Sequence, residues 1–153
     1  MSAFRILGEK AEAATVSPLQ ASLQEFIRIS LDAKQLHWNV RGREFKPLHE
    51  QLDALADSAR RWSDEVAERI VALGQAADGS AAVVAATNYA AVPGGAIAAQ
   101  EAVSYVAGSL AEVAKRVRGR LEPVGESDLV SQDLLIGILA ELEKHLWMFT
   151  VQI

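Results

Sequence analysis

Five residues of this chain have side chains that could bind a transition metal: His37, His49, Asp53, Asp64 and Glu68. His49 and Asp53 stand four apart, as do Asp64 and Glu68, which places each pair on one face of a helix. His37 lies twelve residues before His49, inside the string His37-Trp38-Asn39-Val40-Arg41-Gly42. Imidazole and carboxylate together suit iron, manganese or zinc. Acids at i,i+4 spacing are also ordinary on the solvated face of an amphipathic helix, and Glu50, Asp57 and Glu65 show that this face is acidic in any case. Spacing alone leaves both readings open. Two of the chain's three histidines fall in the constellation, which favours the metal. His145, the third, reads as a surface or interface histidine without a role.

The elements that must position these residues are helical. The chain has 153 residues, half of them hydrophobic but only 6% aromatic, and its abundant alanine suits packed helices. Four amphipathic helices are expected. The first starts at Ser17-Pro18, a cap followed by proline at the first helical position, carries Leu19, Leu23, Phe26, Ile27, Leu36 and Val40, and ends at Gly42. The second starts near Lys46-Pro47 and places Leu48, Leu52, Leu55, Ala59, Trp62, Val66, Ile70 and Leu73 at steps of three and four before Gly74. The third runs from about Ala98 to Leu121, where Pro123 and Gly125 break it. The fourth runs from about Ser127 to Phe149. Between the second and third, a short helix within Ser80 to Thr87 and a turn at Pro93-Gly94-Gly95 are expected, since a structureless link of that length is unusual. The fold class is all-α: a four-helix bundle with ferritin-like connectivity. The expected division is an irregular arm over 1–16 and one domain over 17–153.

On a wheel with Leu48 at zero and about 100° per residue, the apolar set of the second helix clusters within roughly 40° of zero. His49, Asp53, Asp64 and Glu68 fall at roughly 100°, 140°, 160° and 200° on the same wheel. The candidate ligands therefore point away from the bundle's own core. Asp53 and Asp64 are also about 16 Å apart along the axis at 1.5 Å per residue, whereas metal–ligand bonds are near 2 Å. One chain cannot close a site from both pairs. An antiparallel second copy crossing near residues 58–59 would bring His49 and Asp53 of one chain against Asp64 and Glu68 of the other, as an isologous dimer allows, with His37 closing the site from above. A centre inside the bundle is disfavoured: such centres use Glu-x-x-His, and Lys34, Lys46 and Leu142 stand three residues before the histidines.

Other classes are limited by composition. A net charge of −5 disfavours binding to nucleic acid by bulk electrostatics and favours drawing in cations. Without cysteine there is no disulfide or thiol chemistry. No apolar run approaches a membrane span and the first residues lack a secretory signal, so the expectation is a cytoplasmic protein.

The strings His37-Trp38-Asn39-Val40-Arg41-Gly42, Leu48-His49-Glu50 with Asp53, and Asp64-Glu65-Val66-Ala67-Glu68-Arg69-Ile70 with Leu73-Gly74 resemble the signature of the Dps family, the mini-ferritins named as DNA-binding proteins from starved cells. Asp133 and Leu142-Glu143-Lys144-His145-Leu146-Trp147 resemble the family's last helix. The resemblance spans roughly residues 18 to 150. It implies a hollow homododecamer whose ferroxidase centres lie between subunits, with His37, His49, Asp53, Asp64 and Glu68 as ligands of iron. The implied reaction is oxidation of Fe(II), preferentially by hydrogen peroxide, with ferric mineral stored inside. Acids near the start of the fourth helix, Asp128 and Asp133 with Glu126 as a further candidate, would line pores for iron. For Asp128, helix capping is an equal reading. Trp38 would pack over the centre or intercept radicals, or pack at the interface. The first 16 residues balance Arg5 and Lys10 against Glu9 and Glu12, so DNA binding is expected to be weak or absent, with association with the nucleoid as the alternative location. Two rival functions remain: a nucleoid-condensing structural protein, and a passive shell holding zinc or manganese.

Overall fold

The computed structural model describes residues 6–87 and 89–153. Four long helices form the bundle: α1 (Glu9–Asn39), α2 (Phe45–Ala72), α4 (Ala99–Ser127) and α5 (Leu129–Thr150). A five-residue helix, α3 (Ala81–Ala85), lies in the connection between α2 and α4. Two-residue strands β1 (Val40–Arg41) and β2 (Ile97–Ala98) pair in parallel, Val40 with Ile97 and Arg41 with Ala98. This clasp, which the hydrophobic pattern does not announce, fastens the α1–α2 turn to the start of α4. The turn is tight because Gly42 takes φ 123°, a region L side chains rarely occupy.

The core follows the helical periodicity. All eight apolar positions expected of α2 are buried, and Ala56 joins them. They meet Leu19, Leu23, Phe26 and Leu36 of α1, Val103, Val106, Leu110, Val113 and Val117 of α4, and Leu135, Ile138, Leu139, Leu142 and Phe149 of α5. Trp62 lies at the centre, fully buried and edge-on to Phe26 at 5.7 Å between ring centroids. Its indole N–H donates to Glu141 at 2.9 Å, which removes the cost of burying a polar tip.

Two expected boundaries are corrected. The arm over 1–16 is not irregular where it is described: α1 begins at Glu9, with Gly8 as its cap, and Pro18 lies inside it. Residues 1–5 of the arm lie outside the described residues. The run Glu9-Lys10-Ala11-Glu12-Ala13-Ala14 is made of strong helix formers, and Glu9 and Glu12 complement the positive end of the helix. Those gains outweigh the one bond Pro18 cannot donate. Likewise Pro123 and Gly125 do not end α4, which continues to Ser127. The chain turns at Asp128, whose extended backbone (φ −157°, ψ 102°) separates α4 from α5. Gln132 of α5 donates from Nε2 to the Leu121 carbonyl at 3.0 Å, and only the missing Cβ of Gly125 lets it pass.

Two buried ionic groups tie the layers together. Glu25 of α1, 2% exposed, accepts from Arg116 at 2.5 Å, from Arg120, and from the Tyr89 hydroxyl at 2.5 Å. Asp32 accepts from Arg28 at 2.9 Å and from the Tyr105 hydroxyl at 2.8 Å. Arg28 and Tyr105 also donate to the Ala90 carbonyl, at 3.1 and 3.2 Å. These contacts hold the α2–α4 connection against α1 and α4.

Candidate metal centre

The turn at Gly42 folds the end of α1 back onto the start of α2, so residues twelve apart face each other. His37 and His49 stack with ring centroids 3.6 Å apart and planes 18° from parallel. Each imidazole is fixed by the other's backbone: His37 Nδ1 donates to the His49 carbonyl at 2.8 Å, and His49 Nδ1 donates to the His37 carbonyl at 2.8 Å. A carbonyl only accepts, so both Nδ1 atoms carry the proton. In the neutral form of each ring Nε2 then keeps its lone pair, which is the tautomer a metal-binding histidine needs. The arrangement also satisfies α1, because the His37 carbonyl is one of the last-turn groups without an intrahelical partner. His37 is buried, His49 is half-buried, and Phe45 lies 5.0 Å from the His49 ring.

Asp53 stands one turn beyond His49, its side chain 46% exposed. Lys34 of α1 places its ammonium 2.6 Å from Asp53 Oδ1. That hydrogen bond, with the Lys34 charge beside it and against the opposing effect of desolvation, holds the Asp53 carboxyl below its ordinary range. The same ammonium lies 5.9 Å from the ring centre of Trp38, whose indole is 66% exposed.

Asp64 and Glu68 lie further along α2 and are exposed. The structure brings His37 and His49 together, sets Asp53 one helical turn beyond His49, and leaves Asp64 and Glu68 further along α2. Among the described residues, no three His, Asp or Glu side chains of one chain gather as a metal cluster. The donor chemistry nonetheless fits Fe(II): two imidazoles whose Nδ1 atoms are engaged by backbone carbonyls, a carboxylate one turn away, and two further carboxylates on the same outward face.

Of the two acids considered for a pore, Asp133 is exposed on α5. Asp128 is not free. Its carboxylate accepts from the amides of Val130 and Ser131 at 3.2 and 3.3 Å, from Ser131 Oγ at 2.5 Å and from Arg69 at 2.6 Å. Burial alone would raise its pKa, but the bonds from Ser131 and Arg69, the Arg69 charge and the Val130 amide together hold it below the usual range. The capping reading is the one the geometry carries. His145 is also not a surface group: it packs edge-on to Trp62 at 5.9 Å and its Nε2 lies 3.1 Å from Ser58 Oγ. Residues that the periodicity passed over are Lys34, which acts on a candidate ligand, and Arg69, which anchors the cap. Neither carries a spacing signal, since each meets its partner across helices.

The four-helix bundle with its long second connection, and an outward-facing histidine and carboxylate set, define a ferritin-type architecture. Residues 17–153 match the family model described as the ferritin-like domain. The DNA protection during starvation protein of Mycolicibacterium smegmatis is 33% identical over 153 residues, covering 96% of this chain and 82% of that protein. Its namesake in Agrobacterium fabrum is 30% identical, covering 96% and 92%. DNA protection during starvation protein 2 of Deinococcus radiodurans is 31% identical over 134 residues, and there the chain spans only 56% of the relative's length. Among solved structures, Dps from Microbacterium arborescens in the high iron form superposes with a TM-score of 0.93 at 29% identity over 98% of both chains. The tetragonal form of Mycobacterium smegmatis Dps gives 0.94 at 31% identity over 99% of this chain and 94% of that one. The chain belongs to the ferritin-like family and, within it, to the Dps proteins.

Proposed function

We propose that the protein stores and detoxifies iron as a ferroxidase, with one centre built from two subunits. His37, His49 and Asp53 of one protomer would receive Fe(II) together with the partner's Asp64 and Glu68. The observation that carries this reading is the mutual His37–His49 clasp, in which backbone carbonyls engage both Nδ1 atoms and leave Nε2 as the metal-binding nitrogen of each ring. Carboxylates are hard donors that favour Fe(III) over Fe(II), while the imidazoles keep affinity for the reduced ion. Two Fe(II) each give one electron to hydrogen peroxide, whose O–O bond breaks to two hydroxide ions, so no hydroxyl radical is released. The ferric product is then hydrolysed and stored as mineral inside a shell, proposed to be a homododecamer. Exposed Trp38, Trp147, Leu129, Val130 and Val71 supply apolar surface for such contacts. Asp133 is the acid proposed to line an iron pore.

Protection of DNA, in this reading, comes from removing Fe(II) and peroxide in the cytoplasm rather than from coating the nucleoid. The net charge of −5 and the balanced charges of residues 1–16 support weak DNA binding at most. No helix is long and apolar enough to cross a membrane among the described residues. The test is anaerobic Fe(II) loading of the sized assembly followed by peroxide titration. Consumption near one peroxide per two Fe(II) is expected, and a His37→Ala, Asp64→Ala double variant should remain assembled but lose the fast phase. A wild-type assembly that consumes no peroxide, or a double variant as fast as wild type, refutes the assignment.

A further inference from the structure

Lys34 belongs to no ligand pattern, yet it occupies Asp53. Its side chain is 19% exposed and its ammonium is 2.6 Å from Oδ1. A second resting place is within reach: Trp38, one turn further along α1, presents its indole 5.9 Å from the same nitrogen. Ammonium over an exposed indole face is attractive, and i,i+4 neighbours on a helix meet by side-chain rotation alone. The cation can therefore leave the carboxylate without any movement of the backbone.

We propose that Lys34 is an exchangeable counter-cation of the centre, holding Asp53 while the metal is absent and passing to Trp38 when metal takes the carboxylate. This rests on the inter-subunit metal site proposed above. The charges give the exchange a direction. Asp53, Asp64 and Glu68 supply three negative charges, and histidine binds a metal as the neutral imidazole. One divalent ion with Lys34 in place balances those charges. A second divalent ion overshoots by one charge, and by two if Lys34 stays. Lys34 thus leaves the first ion a neutral site and opposes the second, so loading is sequential. It acts as a positioning residue that sets the gap between two affinities.

The test uses Zn(II), which is redox-inert and diamagnetic, titrated into the assembled protein by calorimetry while tryptophan emission is followed. The difference between wild type and Trp38→Phe isolates the Trp38 signal from Trp62 and Trp147. Wild type should bind in two steps, the Trp38 emission changing with the second. Lys34→Gln should tighten the second step roughly two- to five-fold, the range expected for removing a partly exposed ion pair, and should silence the emission change. Lys34→Arg, which keeps the pairing, should restore the weak second step. If Lys34→Gln does not assemble, the longer apolar Lys34→Met takes its place. An unchanged second step in the neutral variant, or a wild-type Trp38 emission that ignores Zn(II), overturns the exchange. Wild type that binds no Zn(II) sensitive to His37→Ala sinks the metal site itself, which is a separate result.

Discussion

Asp128 offers a choice between two roles with different consequences, and Asp128→Ala separates them. In the cap, the carboxylate satisfies two amides of the first turn of α5, the buried Ser131 hydroxyl and one edge of Arg69. Losing an Asp cap costs about 1 kcal/mol. Depriving the Ser131 hydroxyl of its acceptor costs about another 1 kcal/mol, moderated because Arg69 Nε still donates to it at 2.9 Å. Arg69, 18% exposed, would keep part of its hydration, so its lost partner adds about 1–2 kcal/mol. The sum, about 3–4 kcal/mol, corresponds to a fall in thermal midpoint of roughly 10 °C for a chain of this size. Scanning calorimetry of the assembly at fixed protein concentration reads it. The depressed pKa adds a sign: the cap's contribution is complete above the unfolded carboxyl value near 4 and is lost as pH falls through it toward the folded value. The gap between wild type and Asp128→Ala should therefore narrow below about pH 4. Asp133→Ala, on an exposed position of the same helix, should stay within about 0.5 kcal/mol of wild type. An Asp128→Ala midpoint within about 2 °C of wild type, with iron uptake slowed, would return Asp128 to the pore and refute the capping argument.

Two further outcomes follow from buried charges. Glu25→Ala leaves Arg116, Arg120 and the Tyr89 hydroxyl facing an empty site; a loss of roughly 3–5 kcal/mol is expected in urea unfolding, and a midpoint near wild type would mean water replaces the carboxylate freely. Burial pushes the His145 pKa below its ordinary value, with Glu141 opposing and Lys144 and Arg61 assisting. A depressed folded pKa means stability that is whole above the unfolded value near 6.5 and is lost as pH falls through it. His145→Gln should therefore shrink the drop in thermal midpoint between about pH 7.5 and pH 5.5, and an undiminished drop would assign it to other groups.

Much of the fold can be read along the chain because one signal, the recurrence of apolar residues at three and four, decides which face of each helix is buried. The eight positions of α2 show this most clearly. Boundaries are less legible where a proline stands near the expected end of a helix. Pro18 and Pro123 each read as punctuation, and each lies inside a helix. The proline costs one intrahelical bond, and whether that cost ends the helix depends on what surrounds it. Before Pro18 the compensation is local, a run of Ala, Glu and Lys, and was there to be weighed. Beside Pro123 it comes from Gln132 on another helix, reaching over Gly125 to Leu121. No window of sequence contains that pairing.

The candidate centre divides along the same line. Spacing says which residues share a face of α2, and the axial distance between Asp53 and Asp64 says that one chain's two pairs are too far apart to meet. It does not say how a side chain is held. The His37–His49 clasp arises because the Gly42 turn sets the last carbonyls of α1, left without helical partners, beside an imidazole of α2. The unpaired end of a helix thereby selects the tautomer of a metal-binding ring. Lys34 is invisible for the complementary reason: a lysine on a helix surface has many possible partners, and only the packing of α1 on α2 chooses Asp53. The ligands are thus a property of spacing, but their readiness is a property of the hairpin. A substitution at Gly42 that kept all five ligands but altered the turn would therefore act on metal binding through hydrogen bonds made twelve residues apart.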